Sequence, residues 1–228
     1  MLSGKTSIVI IGAGSAGASI AKSLSGSLDA SQHEIVLISP QLYYVHYPST
    51  PRMVVTDAGK LEDQGLVPLD KLFLEGNRKF VQGEAALIDE QAREVELMTG
   101  RKVSFDFLVL ATGTRWGGPI AFPHDPSKVR RGFIEEKRRE FREAKNILLV
   151  GGGSVGIELA GELRDLSTQE SLSFTATDYF STPYPDKMRN YMQEQLENRK
   201  IEVILGDSVD VPTSGPYQGR SRPAEARG

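Results

Sequence analysis

The sequence predicts an α/β fold made of two Rossmann-like dinucleotide-binding units with parallel sheets, the first carrying a small antiparallel β excursion. Three observations carry that prediction. SIVIIGAGSAGASIAKSL, Ser7 to Leu24, sets a glycine-rich turn between a β-branched run and a stretch of helical spacing. NILLVGGGSVGIELAGEL, Asn146 to Leu163, repeats the arrangement 139 positions later. Between them, Lys79 to Phe105 holds short strand-like runs separated by turn residues.

Taken in order, Ser7 to Ile11 reads as a strand, Ser15 to Leu24 as a helix and Glu34 to Ile38 as a second strand, a βαβ unit whose order argues for parallel pairing. Pro40 to Leu66, rich in Tyr, Pro and small residues, is too long for an idle connection in a compact domain, and such connections often carry function. Lys79 to Ile88, Arg93 to Met98 and, after Thr99-Gly100, Arg101 to Phe105 form the antiparallel excursion, with turn chemistry at each reversal. Phe107 to Leu110 is a buried strand that ends in Ala111-Thr112-Gly113. Glu135 to Lys145, EEKRREFREAK, reads as a solvated surface helix with i,i+4 pairs. The second unit follows: Ile147 to Val150 strand, Val155 to Leu166 helix, Leu172 to Thr177 strand, Asp186 to Arg199 helix, Ile201 to Leu205 strand. After Asp210 the composition turns to Pro, Gly, Ser and Arg, too poor in apolar residues to offset its ordering entropy, so a disordered tail is expected. The implied organisation is 1–117, a connector 118–145, 146–210 and the tail 211–228.

Composition bounds the function. With 39% hydrophobic and 25% charged residues, the chain is expected to bury a real core. The net charge of −3 comes from 27 basic and 30 acidic residues massed in no single block, so no nucleic acid or anionic surface is indicated and the default partner is a small molecule. There is no cysteine, which excludes disulfides, thiolate metal sites and electron transfer through a cysteine pair. No apolar run reaches the roughly 18 residues of a transmembrane helix. The first strand begins by Ser7, leaving no room for a signal or transit peptide, and Leu2 stands where myristoylation needs glycine. A cytoplasmic protein is expected, with peripheral membrane contact compatible with that expectation.

A single G-x-G-x-x-G is a weak signal, because such a turn can join strand to helix with no ligand. Context supplies the weight. Gly12 makes the tight turn after the strand, Gly14 lets backbone approach a pyrophosphate, and Gly17 lets helix and strand pack closely. The helix N-terminus then offers unpaired N–H groups to the phosphates. Gly151, Gly153 and Gly156 repeat the pattern. An acidic residue about 20 positions on would hold an adenosine ribose. After Gly17 that place is taken by Ser39, which offers one hydroxyl; after Gly156, Asp178 could face a 2′-OH and disfavour a 2′-phosphate, or could belong to the turn before Pro183 to Pro185.

Two such units with FDFLVLATGT, Phe105 to Thr114, closing the first resemble the two-dinucleotide-binding-domain flavoproteins of the pyridine nucleotide-disulfide oxidoreductase superfamily. LYYVHYPSTPRMVV, VQGEAALIDEQAREVELMTG and GGGSVGIELAGEL are most similar to its apoptosis-inducing-factor-like group, the AMID-type NAD(P)H:quinone oxidoreductases. The resemblance covers Ser7 to Asp210. It implies FAD at the first turn, held by Gly12, Ala13, Gly14, Ser15, Ala16, Gly17, Ser39, Arg52, Ala111, Thr112 and Gly113. NAD(P)H at the second would be held by Gly151, Gly153, Ser154, Val155, Gly156 and Asp178. It also implies hydride transfer from nicotinamide to flavin and electron delivery to a small acceptor of the quinone type. Related disulfide reductases carry an early cysteine pair; the absence of cysteine excludes that chemistry here. Glu158, which follows the second turn, and His46, in the loop that runs toward the flavin in the family, are the candidates for groups near the reacting rings. For His46 a backbone-bonded loop histidine is the alternative, and for Arg52 a salt bridge to a local carboxylate.

Members of the family continue past the equivalent of Val209, so the resemblance leads us to expect a shortened chain that lacks the closing segment of its flavin domain. Two further readings follow: an inactive nucleotide-binding fragment, or a tandem NAD-binding protein without flavin, against which the Ala-Thr-Gly stretch argues. A mitochondria-associated location is the alternative to the cytoplasm.

Overall fold

The β-branched runs at Ile8 to Ile11 and Ile35 to Ile38 are buried on both faces, which explains why they read as unbroken apolar stretches. The computed structural model describes residues 4–72, 78–114, 118, 120–122, 131–166, 171–176 and 184–206. The expected tail, 211–228, and Asp178 lie outside the described residues. By contacts the chain divides into two units, Met1–Thr50 with Ala58–Ile134, and Pro51–Asp57 with Glu135–Gly228.

In the first unit, β1 (Thr6–Ile11), α1 (Ser15–Ser27) and β2 (His33–Ser39) form the expected βαβ unit, β1 and β2 pairing in parallel from Thr6↔His33 to Ile11↔Ile38. The connection after β2 is structured. It holds β3 (Tyr43–Val45), α2 (Thr50–Val55), α3 (Glu62–Gly65) and β4 (Leu66–Pro68), with β3 and β4 antiparallel and α2 counting with the second unit from Pro51 on.

The next run departs from the expectation. Lys79 to Ile88 is two strands in different sheets: β5 (Arg78–Gln82) pairs in parallel with β2, whereas β6 (Ala85–Asp89) belongs to the antiparallel excursion. Gly83 separates them, its N–H donating to the Ser39 carbonyl at 3.0 Å. A one-dimensional pattern shows a continuous β-prone run; that its first half joins β2 depends on a partner about 40 positions earlier.

The excursion continues with β7 (Glu94–Leu97) and β8 (Lys102–Ser104), antiparallel throughout, and β9 (Phe107–Leu110) returns to pair in parallel with β1. Its reversals carry the expected turn chemistry: Asp89 Oδ1 accepts from the N–H groups of Gln91 and Ala92, and Gly100 has φ +79°. The main sheet has the order β5-β2-β1-β9. Alternation along β1 and β2 splits the core. Val9, Ile11, Val36 and Ile38 face Val81, Val95 and Leu97 of β5 and the excursion. Ile10, Ile35 and Leu37 face Ala21 of α1 together with Leu69. The parallel sheet is thus the middle of three layers.

The second unit takes up the chain at Glu135 within α4 (Arg131–Glu143), which leads to β10 (Asn146–Val150), α5 (Ser154–Leu166), β11 (Ser171–Ala176), α6 (Asp186–Asn198) and β12 (Glu202–Leu205). The three strands are parallel in the order β10-β11-β12. The last turn of α6 closes with Lys200 at φ +58° and the Ile201 N–H donating to the Leu196 carbonyl at 3.0 Å, a left-handed stop that turns the chain into β12.

The charged helix is not solvated all round. It begins at Arg131, four positions before the expected start, with Ile134 and Arg138 buried; the Arg138 Nε–H donates to the Met53 carbonyl at 2.9 Å. Counting arginine as solvent-facing misses an aliphatic stem that packs while its head finds a carbonyl.

The glycines of the first turn differ in what they do for the fold. A Cβ on Gly17 would stand 1.9 Å from the Gly12 carbonyl oxygen, whereas one on Gly14 would meet nothing within 4 Å. Gly17→Ala is therefore expected to lower unfolding stability by about 2–3 kcal/mol through overpacking, and Gly14→Ala by no more than about 1 kcal/mol, the N-cap preference for glycine over alanine; urea titrations of the two variants measure both.

Candidate dinucleotide-binding site

The first turn is built by close packing of three segments. Gly12, at φ +101°, leaves β1 with its N–H donating to the Ile38 carbonyl at 2.8 Å. A Cβ there would lie 2.1 Å from the Ala111 carbonyl oxygen, and one on Gly17 would lie 3.2 Å from the Ala111 Cβ. Ala111 itself donates to the Ile11 carbonyl at 2.8 Å. The turn and Ala111-Thr112-Gly113, separated by about 100 positions in sequence, are therefore one structural feature at the C-terminal ends of β1 and β9. Gly113, at φ +72°, turns the chain away, and Thr112 is exposed.

Gly14 is the informative residue. At φ −71° it occupies backbone that any residue adopts, and no neighbour crowds its missing Cβ, so neither backbone nor packing requires glycine there. What glycine leaves is open space at the start of α1. That helix has Gly14 as N-cap, no side-chain cap and no acidic residue in its first turn. Its terminal N–H groups therefore lack a side-chain acceptor, the condition under which a helix start accepts an anion. Gly14, Ser15 and Ala16 are exposed, while Ala13 and Gly17 are buried beneath them. The residues fit a pyrophosphate.

Ser39 ends β2, buried, with its Oγ accepting from the Gln41 N–H at 3.1 Å. Its hydroxyl hydrogen is left to donate at the place where a ribose is expected. Tyr44, which sequence reasoning missed, brings its Oη to 3.3 Å from the Ser15 Oγ while its ring packs on the α1 side of the core. No alternation marks it, since Leu42 and Tyr43 are both exposed while Tyr44 is half-buried and Val45 buried, so its contact with Ser15 depends on tertiary packing.

The second turn shares the backbone but not the packing. Gly151 has φ +114°, so glycine is needed there, yet a Cβ on Gly151 or Gly153 would meet nothing within 4 Å. Ser154 is exposed at the start of α5, Val155 and Gly156 are half-buried, and the Ile157 N–H donates to the Gly153 carbonyl at 3.2 Å.

Arg52 meets the alternative partner weighed for it. Its Nε donates to Glu162 Oε2 at 2.8 Å, across 110 positions, and that hydrogen bond with its charge holds the guanidinium above the usual arginine range. The structure thus places Arg52 among the residues of the second unit, where Glu162 was not singled out by sequence; the signal was the i, i+4, i+7 row Glu158, Glu162, Asp165 on α5. Glu158 is exposed and lines an open groove of about 220 Å³ with Glu162, Asp165, Gln195 and Arg199. His46 is exposed, its N–H donating to the Gly65 carbonyl at 2.8 Å and its ring nitrogen Nδ1 lying 3.3 Å from the Ser49 hydroxyl.

Comparison with known proteins agrees with this geometry. The FAD-dependent oxidoreductase FVFD30 of Flammulina velutipes is 37% identical over 161 residues, 69% of this chain and 50% of that protein. Apoptosis-inducing factor 1 of Saccharomyces cerevisiae is 34% identical over 216 residues, 94% of this chain and 49% of that protein. NDH2 from Plasmodium falciparum, solved in complex with NADH, superposes with a TM-score of 0.68 at 17% identity, over 92% of this chain and 50% of that one, a likeness of fold. The chain spans about half the length of the curated relatives it matches. The family described as pyridine nucleotide-disulphide oxidoreductase matches residues 6–216, and with the two glycine turns and the Ala-Thr-Gly stretch in place, the chain belongs to that family.

Proposed function

We propose that this chain functions as an FAD-dependent oxidoreductase, with FAD at the first glycine turn, NAD(P)H at the second, hydride passing from nicotinamide to flavin and electrons passing on to a quinone-like acceptor. The observation that carries the proposal is the pair Gly14 and Gly153, glycines that no crowded neighbour requires, each standing before a helix start. Flavin, when bound, supplies the hydride-accepting and electron-releasing chemistry. The chain's own residues bind and orient. Backbone N–H groups of the first turn of α1 and the Ser15 hydroxyl take the pyrophosphate. Ser39 donates to the ribose, and Ala111 to Gly113 flank the nucleotide. In the second unit Ser154, Val155 and Gly156 line the phosphate turn and Asp178 holds the adenosine ribose. Glu158 and His46 are the ionisable groups proposed near the reacting rings. The quinone class of acceptor rests on the resemblance to the AMID-type enzymes. Among the described residues no helix is long and apolar enough to cross a membrane, and the proposal places the protein in the cytoplasm or at a membrane surface.

A second reading, that the polypeptide binds nucleotides without turnover, is favoured by apolar side chains exposed on the outer strands of the described sheets: Phe107 and Leu110 on β9 are 63% and 62% exposed, and Val150 on β10 is 50% exposed.

The visible spectrum of the purified protein separates the two. Flavin absorbance that NADH bleaches supports the enzyme; flavin that NADH leaves oxidised supports the second reading; a colourless protein that takes up no added FAD sinks both assignments of the first turn. Gly14→Val is expected to abolish FAD retention while keeping the thermal midpoint of the apoprotein. Gly153→Val is expected to keep FAD and raise the KM for NADH by roughly tenfold, the loss of about one good phosphate contact. With Asp178 beside the 2′-OH, kcat/KM is expected to be higher for NADH than for NADPH; the opposite preference removes Asp178 from the ribose site.

A further inference from the structure

We infer that Tyr44 is a positioning residue of the pyrophosphate site, its phenol holding the Ser15 hydroxyl so that Ser15 presents its hydrogen to a dinucleotide phosphate. The inference rests on the reading that the first turn holds FAD.

Ser15 is the first residue of α1, exposed, and follows an N-cap that has no side chain. Its hydroxyl belongs to the first turn of that uncapped helix, and a free serine rotor points its single hydrogen in any of several directions. The Tyr44 Oη stands 3.3 Å from the Ser15 Oγ. That phenol is itself held firmly. Its ring packs against the cluster of Ile10, Ala13, Ala21, Ile35, Leu37 and Leu69. Its strand β3 is paired with β4 at Tyr44↔Val67, and the end of the ribbon is tied by the Leu69 N–H donating to the Leu42 carbonyl at 2.9 Å. The entropy of placing the hydroxyl is therefore lost on folding, not on binding.

The ligand's chemistry sets the direction of the hydrogen bonds. A pyrophosphate oxygen at neutral pH accepts and has no hydrogen to donate, so Ser15 must donate to it. The remaining lone pairs of Ser15 then accept, and the Tyr44 phenol, whose oxygen stands 3.3 Å away, has the hydrogen to give. Phenol to serine to oxyanion is a chain in which each bond polarises the next. Phenylalanine would fill the same apolar place, so packing alone does not explain a hydroxyl on Tyr44; the group it meets is Ser15.

The test is a double-mutant cycle with Tyr44→Phe and Ser15→Ala, reading the Kd of FAD for the apoprotein by quenching of flavin fluorescence and the thermal midpoint of each apoprotein. Tyr44→Phe is expected to raise the Kd about three- to tenfold, the worth of one hydrogen bond, with no change in the apoprotein midpoint. In the Ser15→Ala background the Tyr44→Phe change is expected to have no further effect, and Ser15→Thr, which restores a hydroxyl, is expected to restore it. Equal FAD affinity of wild type and Tyr44→Phe overturns the inference and leaves the FAD reading standing. Additive losses overturn it as well, because Tyr44 would then act independently of Ser15, and so does a loss matched by a fall in the midpoint, which would mark a packing role. A wild-type protein with no measurable affinity for FAD overturns the FAD reading, and the role of Tyr44 falls with it.

Discussion

The contact between α1, the end of β1 and the end of β9 is the constraint on which the first unit depends. It is narrower than any side chain allows: the missing Cβ atoms of Gly12 and Gly17 would fall 2.1 Å and 1.9 Å from carbonyl oxygens of Ala111 and Gly12. Because these glycines let backbone meet backbone, α1 lies close on the sheet and buries Ala18 and Ala21, and small residues on that face are a requirement of the distance. The same approach brings the Ala-Thr-Gly stretch against the glycine turn. One packing decision thereby creates the core on one side and gathers the start of α1 and the C-terminal ends of β1 and β9 on the other, the place where open parallel sheets hold ligands.

The second unit uses the same glycine spacing under a weaker constraint. β1 has β2 and β9 on its two sides, whereas β10 has β11 on one side and, among the described residues, no strand on the other. Among the described residues nothing stands beside Gly151 as Ala111 stands beside Gly12, so Gly151 is needed for its backbone torsion and not for close approach. The first turn is therefore shaped by packing and the second by local torsion.

Charge is distributed in keeping with that division. The start of α1 carries no acidic residue, which leaves its partial positive charge for an anion. On α5 the acids stand further along, Glu158, Glu162 and Asp165 on one face, with Arg52 on Glu162 at 2.8 Å and Arg199 near Asp165 at 3.6 Å. Arg52 is more than half exposed, so its pair contributes orientation more than stability. Its residence in the second unit ties the long connection after β2 to a different part of the molecule from the one its sequence neighbours serve.

Local chemistry was readable from the residues themselves: glycines at 12, 14 and 17, β-branched runs, and turn residues at Asp89 and Gly100 act over a few positions, so their spacing predicted the strands, the helices and the two phosphate turns. The missing cysteines likewise excluded a disulfide mechanism without any coordinates. Partners far apart in the chain were not readable. That β5 would leave the excursion for the parallel sheet, that Arg138 would be buried on the Met53 carbonyl, that Arg52 would meet Glu162, and that Tyr44 would reach Ser15 each depends on a surface that exists only after the strands have paired. The sequence by itself determined which segments could form and where the two glycine turns would stand; the tertiary structure alone decided which side chains stand around them, because contact across tens of residues is set by packing and not by spacing.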